Sequence, residues 1–199
     1  MRYLSLFILT ALFLACGDGE AKIAEAEAKI EDMKKGEPEE VEQLALPPLG
    51  DPCGVSMDLI VESLGWYEGR RKEPIPAYPG AAIAAPSCRY IGGGGELDVR
   101  FTRVSQEIAE EKYISKTFEE ALAGTDKEPD KLEWREVGGF GDQAIYGYAK
   151  AFPKWKYNFR YRIDDHTQVD LITYGREEKD QVATLEALKT IAATLDVGL

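Results

Sequence analysis

Cysteine and histidine, the side chains that most often act as nucleophiles, proton shuttles or metal ligands near neutral pH, are few in this chain: three cysteines and one histidine among 199 residues. Cys16 ends an apolar run and is followed at once by Gly17-Asp18-Gly19-Glu20, so it is a core thiol, half of a disulfide, or a point of attachment. His166 stands beside Asp164 and Asp165, the one place where an imidazole meets two carboxylates. A catalytic or metal role there would need a third group converging from elsewhere, since neighbours in a turn diverge. Asp-Asp is ordinary turn chemistry, and the turn reading is preferred. With a single histidine and no Cys-x-x-Cys, the spacing that holds a metal is missing. No catalytic residue, metal or cofactor is assigned from the sequence.

Two glycine motifs and one basic stretch complete the candidates. Gly139-x-Gly141-x-x-Ala144 matches a dinucleotide-binding variant letter for letter. That motif works where a strand turns into a helix whose N-terminus receives pyrophosphate. Ile145-Tyr146-Gly147-Tyr148 follows here and reads as strand, so a tight turn or bulge is expected instead. The four glycines at 92–95 lie between two strand-like segments and read as a flexible hairpin rather than a phosphate loop. In KWKYNFRYR, residues 154–162, strand periodicity sets Trp155, Tyr157, Phe159 and Tyr161 on one face. Lys154, Lys156, Asn158, Arg160 and Arg162 take the other. The expectation is an aromatic core face backed by a solvated basic face, with Lys156, Arg160 and Arg162 as a possible ligand face for an anion or sugar.

The elements that must position these residues fall into three segments. Residues 1–15 carry Arg2 and then, from Leu6 to Leu9 and Ala11 to Ala15, an apolar run broken only by Thr10. As a helix, residues 3–15 would reach only about 20 Å at about 1.5 Å per residue, short of the ~30 Å of bilayer hydrocarbon. A basic start, a short apolar run and a small residue at its end are the marks of a secretory signal peptide. Leu12-Phe13-Leu14-Ala15-Cys16 resembles the lipobox of bacterial lipoproteins, in which a small residue precedes a cysteine that is acylated and becomes the new N-terminus. The resemblance implies that Cys16 is the lipid attachment site; two or more acyl chains make a stable anchor where one is marginal.

Residues 16–50 read as a tether. Four lysines against ten acidic residues give the stretch 17–50 a charge of −6, half of the chain's −12, and it has no aromatic residue. AEAEAKIEDMKK favours helix, and Ile23, Ala26, Ile30 and Met33 hint at heptad spacing over two repeats, fewer than a coiled coil needs. Gly36, Pro38, Pro47 and Pro48 then interrupt it. A chain this acidic is poorly suited to nucleic acid, whose phosphates demand cations.

Residues 51–199 hold all three tryptophans and read as one domain. Asp51 as N-cap, Pro52 at the first helical position and Gly65 past the end predict a first helix with Val55, Leu59, Ile60 and Leu64 on its apolar stripe. Pro74, Pro76, Pro79 and Pro86 mark an irregular crossing. Strands are expected at 87–91, 96–104, 134–137, 143–148, 157–163 and 168–174, the last two joined by the Asp164-Asp165-His166-Thr167 turn. Helices are expected over 105–123, with Ile114, Phe118 and Leu122 facing the core, and over 177–195, with Val182, Leu185, Leu188, Ala192 and Leu195 in line. The predicted class is α+β, a mainly antiparallel sheet of about five or six strands with helices packed on it.

With Cys16 set aside, Cys53 and Cys88 form an even remainder, which in an exported protein is most simply a disulfide. Two buried thiols or a metal site are the alternatives. Asp51-Pro52-Cys53, Leu64-Gly65, Cys88-Arg89-Tyr90 and Gly139-Phe140-Gly141-Asp142-Gln143-Ala144 together resemble the DPC-type bacterial lipoproteins of unknown function. That resemblance implies a PsbP-like α/β/α sandwich and an envelope location, and it brings no catalytic residues. The expected function is a non-catalytic binding or accessory module of the cell envelope, held on the membrane through Cys16 and meeting an envelope protein or glycan. An envelope hydrolase working through His166 or an acidic cluster is the alternative.

Overall fold

The computed structural model describes residues 49–126, 131–151, 153–175 and 179–198. The leader, Cys16 and nearly all of the tether lie outside these residues. The elements run α1 (Met57–Leu64), β1 (Glu68–Ile75), β2 (Ile83–Ala84), β3 (Ser87–Gly93), β4 (Gly95–Val104), α2 (Gln106–Glu110), α3 (Tyr113–Leu122), β5 (Glu133–Val137), β6 (Gln143–Ala151), β7 (Lys154–Arg162), β8 (Thr167–Gly175) and α4 (Gln181–Ala192). The fold is α+β. Its sheet has eight strands rather than five or six, in the order β1-β3-β4-β8-β7-β6-β5, with short β2 against the end of β4. Every pairing is antiparallel.

The added strands are those with least alternation. β1, EGRRKEPI, is a sheet edge exposed along nearly its whole length, so no apolar period marks it. The proline-rich crossing was expected to be irregular, yet Pro74 sits inside this strand, where an edge tolerates it.

Both faces of the sheet are covered. On the first, Tyr90, Leu97, Val99, Phe101, Tyr146, Tyr157, Phe159, Val169 and Leu171 pack with Ile60 and Leu64 of α1 and Leu185, Leu188 and Ile191 of α4. Each such side chain contributes about 1.5–3 kcal/mol when fully buried. On the second, Val104 and Ile145 meet Ala109 of α2 and Ile114, Phe118 and Ala121 of α3.

Helix boundaries correct the sequence expectations in three places. Asp51 does not cap α1: its Oδ1 accepts from the Cys53 N–H at 2.8 Å within a turn. Ser56 is the N-cap, accepting from Leu59 N, with buried Val55 and Ile60 stapled across the helix start. The helix expected over 105–123 breaks at Lys112, whose φ is 57°. Ala109 and Ile114 are five residues apart, so one continuous helix would turn them to different sides; the break brings both onto the sheet. In α3, Ala121 rather than Leu122 is buried. In α4 the capped length is shorter than predicted and Val182 is 62% exposed, while Asp180 caps the first turn through Ala183 N.

Cys53 and Cys88 are disulfide-bonded, 35 positions apart, with Cα atoms 5.1 Å from each other. The bond ties the turn before α1 to β3. At the other end of the domain's chain, Gly50 N donates to Val197 O at 3.1 Å, so the first and last described segments run side by side.

Candidate functional site

β7 and β8 form the centre of the sheet, and their polar side chains build its most elaborate cluster. Alternation does put Trp155, Tyr157, Phe159 and Tyr161 on the first face. The three middle residues opposite are not solvated. Lys156 is 4% exposed, Asn158 0% and Arg160 9%; Arg162 is half-buried. Because α2 and α3 cover the second face, strands that look amphipathic are buried on both sides. The expected solvated face is therefore corrected: Lys156 and Arg160 belong to an interior polar layer, with Arg162 at its partly open edge.

Asp170 of β8 is its hub. β7 and β8 pair with Arg160 opposite Asp170, and Arg160 Nε donates to Asp170 Oδ1 at 2.7 Å. Gln168 Nε2 donates to Oδ2 at 2.6 Å and Asn158 Nδ2 to Oδ1 at 3.5 Å. Thr117 of α3 donates to Gln168 Oε1 at 3.1 Å, linking the covering helix to the layer. The Arg160 guanidinium also lies 5.1 Å from the centroid of the Trp134 ring. Burial alone would push the Asp170 carboxyl up, but the charge and hydrogen bond of Arg160, the amide of Gln168 and the charge of Arg100 outweigh it and hold it below the usual carboxylate range. Sequence reasoning missed Asp170; laying the two strands against each other about their turn would have set it opposite Arg160.

Towards the other end of this face the polar residues reach solvent. Arg89, Glu96, Asp98, Ala151, Pro153, Lys154 and Tyr174 line an open cleft of about 330 Å³. Arg89 donates to both oxygens of Asp98, at 2.9 and 3.5 Å, and Lys154 is ion-paired with Glu96. Two cations thus meet two carboxylates, and the cleft is internally neutralised. A second shallow groove, of about 350 Å³, lies between α1 and α4, where Lys179 Nζ donates to Leu64 O at 2.6 Å.

His166 occupies the turn between β7 and β8. Its N–H donates to Asp164 Oδ1 at 2.8 Å, and its Nδ1 lies 3.3 Å from Val104 O. Asp165 pairs instead with Arg162 at 3.3 Å, and Arg162 also donates to Ser115 of α3 at 2.8 Å. The three turn residues diverge. Among the described residues no three His, Cys, Asp or Glu side chains converge as a metal site would require.

The glycine motifs are packing devices. A strand, β6, follows Gly141, so the helix N-terminus a nucleotide needs is absent from this motif. Gly141 has φ 51°, and a Cβ there would stand 2.0 Å from Arg162 O. Phe140, between the two glycines, meets Phe159 and Tyr161 edge-on at 5.3 and 5.2 Å and closes that end of the core. The glycines at 92–95 are clasped rather than loose: a Cβ on Gly92 would meet the Trp66 ring at 2.3 Å, and one on Gly93 the Tyr67 ring at 2.2 Å.

No protein-family model matches the sequence, and no curated protein matches it either.

Proposed function

We propose that this chain is an exported, lipid-anchored protein of the bacterial envelope. Residues 1–15 are its signal peptide, Cys16 carries the lipid, residues 16–50 are an acidic tether, and residues 51–199 are a non-catalytic binding or accessory module. The Cys53–Cys88 disulfide is the observation that carries this reading. Glutathione and thioredoxin keep such a pair as thiols in the cytosol, whereas exported domains retain it. The apolar leader ending at Cys16 supplies the export signal and the attachment point.

The likeness to DPC-type lipoproteins and the finer assignment to a PsbP-like sandwich belong to the same proposal. Helices on both faces of the sheet fit a three-layer arrangement. The proposed contacts are membrane lipid through Cys16, in the cell membrane or outer membrane, and an envelope protein or glycan through the domain. Nucleic acid is not among them for a chain of net charge −12. The experiment is fractionation of cells making wild-type or Cys16→Ala protein. The wild type is expected with the membranes and Cys16→Ala outside them; a cytosolic wild type would overturn the proposal. Cross-linking in intact cells then identifies what the domain touches.

A further inference from the structure

The sheet has two edges, and they are built differently. β1 is guarded in three ways. It contains Pro74, its pairing with β3 slips between Gly69 and Arg71, and its charges are already paired along the strand, Arg70 with Glu68 and Arg71 with Glu73. Prolines, bulges and charges are how natural sheets discourage further pairing. β5 has neither proline nor bulge; it pairs with β6 in unbroken register from Glu133 opposite Tyr148 to Val137 opposite Ala144. Among the described residues, β6 is the only strand that pairs with it.

We infer that β5 pairs antiparallel with β5 of a second copy, about a two-fold axis through Trp134. A two-fold axis perpendicular to a sheet keeps each face, so only residues of like parity can stand opposite one another. Three registers keep the strands overlapped. Centring on Arg135 sets Arg135 against itself, and centring on Glu136 does the same with a carboxylate. Centring on Trp134 sets Glu133 against Arg135 of the second copy, twice, on one face; on the other, each indole stays folded inward over Gly147 and Arg160 of its own chain. Opposite charges directly across strands are favourable, and like charges are not. The sequence of β5 therefore selects one register of self-pairing. Glu133 and Arg135 are both exposed, so neither must leave the core to form these pairs. The inference does not depend on the lipid at Cys16.

One short strand pair is a small interface, so the dimer is weak and concentration-dependent. Sedimentation velocity of the full-length chain over a concentration series should show reversible monomer–dimer exchange. Because the axis repeats each pair, Glu133→Arg changes two contacts at once and is expected to weaken association about ten-fold or more. Arg135→Glu should do the same, and the double swap Glu133→Arg with Arg135→Glu should restore it. Unchanged melting temperatures for the single variants would show that folding is not the cause. A monomer at every concentration, association indifferent to Glu133→Arg, or a double swap that fails to restore it overturns the inference.

Discussion

Replacing Asp170 by Asn is expected to be among the most damaging single changes in the domain. Asp170 is 2% exposed and its partner Arg160 9%, so neither solvent nor salt screens the pair appreciably. Asn keeps the shape but withdraws the charge that offsets burial of the guanidinium. Removing one member of a buried pair costs about 3–5 kcal/mol, and a domain of this size loses about 2–4 °C per kcal/mol, giving a fall of roughly 10 °C in Tm. Denaturant unfolding at neutral pH, with the disulfide intact, measures it. The sign with pH follows from the depressed carboxyl. Its contribution is complete above the unfolded value of about 4 and is lost as pH falls through the lower folded value. The wild type should therefore lose stability on acidification more steeply than Asp170→Asn. Exchanging both partners, Arg160→Met with Asp170→Leu, should recover part of the loss, since no bare charge is left behind. A cost for Asp170→Asn below about 1 kcal/mol, as for exposed pairs, would refute the interior placement of this layer.

Other substitutions probe separate parts of the fold. The pair Arg160→Glu with Arg162→Glu, which on a solvated face would leave folding intact, is expected to yield insoluble or unfolded protein, read by circular dichroism. Removing the disulfide with Cys53→Ser and Cys88→Ser should lower unfolding stability by up to about 4 kcal/mol, from the loop it closes; thiol alkylation with and without reductant verifies the bond in the starting protein. Gly141→Ala should destabilise by more than the ordinary fraction of a kcal/mol, because the left-handed backbone and the Arg162 carbonyl both oppose a Cβ; a melting temperature within 1 °C of wild type, as an order-of-magnitude threshold, would contradict that contact.

Much of the framework was legible in the sequence, and the failures share a cause. Strands with one wet face announce themselves through alternation, as Leu97, Val99 and Phe101 do in β4. β7 alternates just as clearly, yet both of its faces are buried, because periodicity reports polarity and not exposure. Lys156, Asn158 and Arg160 could be placed only once Asp170 lay across from Arg160 and α3 lay above. β1 was hidden for the opposite reason: both faces are wet, so it has no apolar period. Lys112 shows a third limit, since continuous helix propensity cannot reveal that the apolar stripe changes phase between Ala109 and Ile114. Cys53 and Cys88 are the even remainder once Cys16 is an attachment point, and they are bonded. The glycines at 92–95 looked like slack in the chain because Trp66 and Tyr67, which fill the space above them, lie more than twenty positions away.

Intact mass measurement of the mature protein, purified from membranes, decides whether Cys16 is the lipid-bearing N-terminus. The expected species begins at Cys16 and carries the added mass of acyl chains on that residue. A chain that still begins at Met1, with Cys16 unmodified, would contradict that assignment.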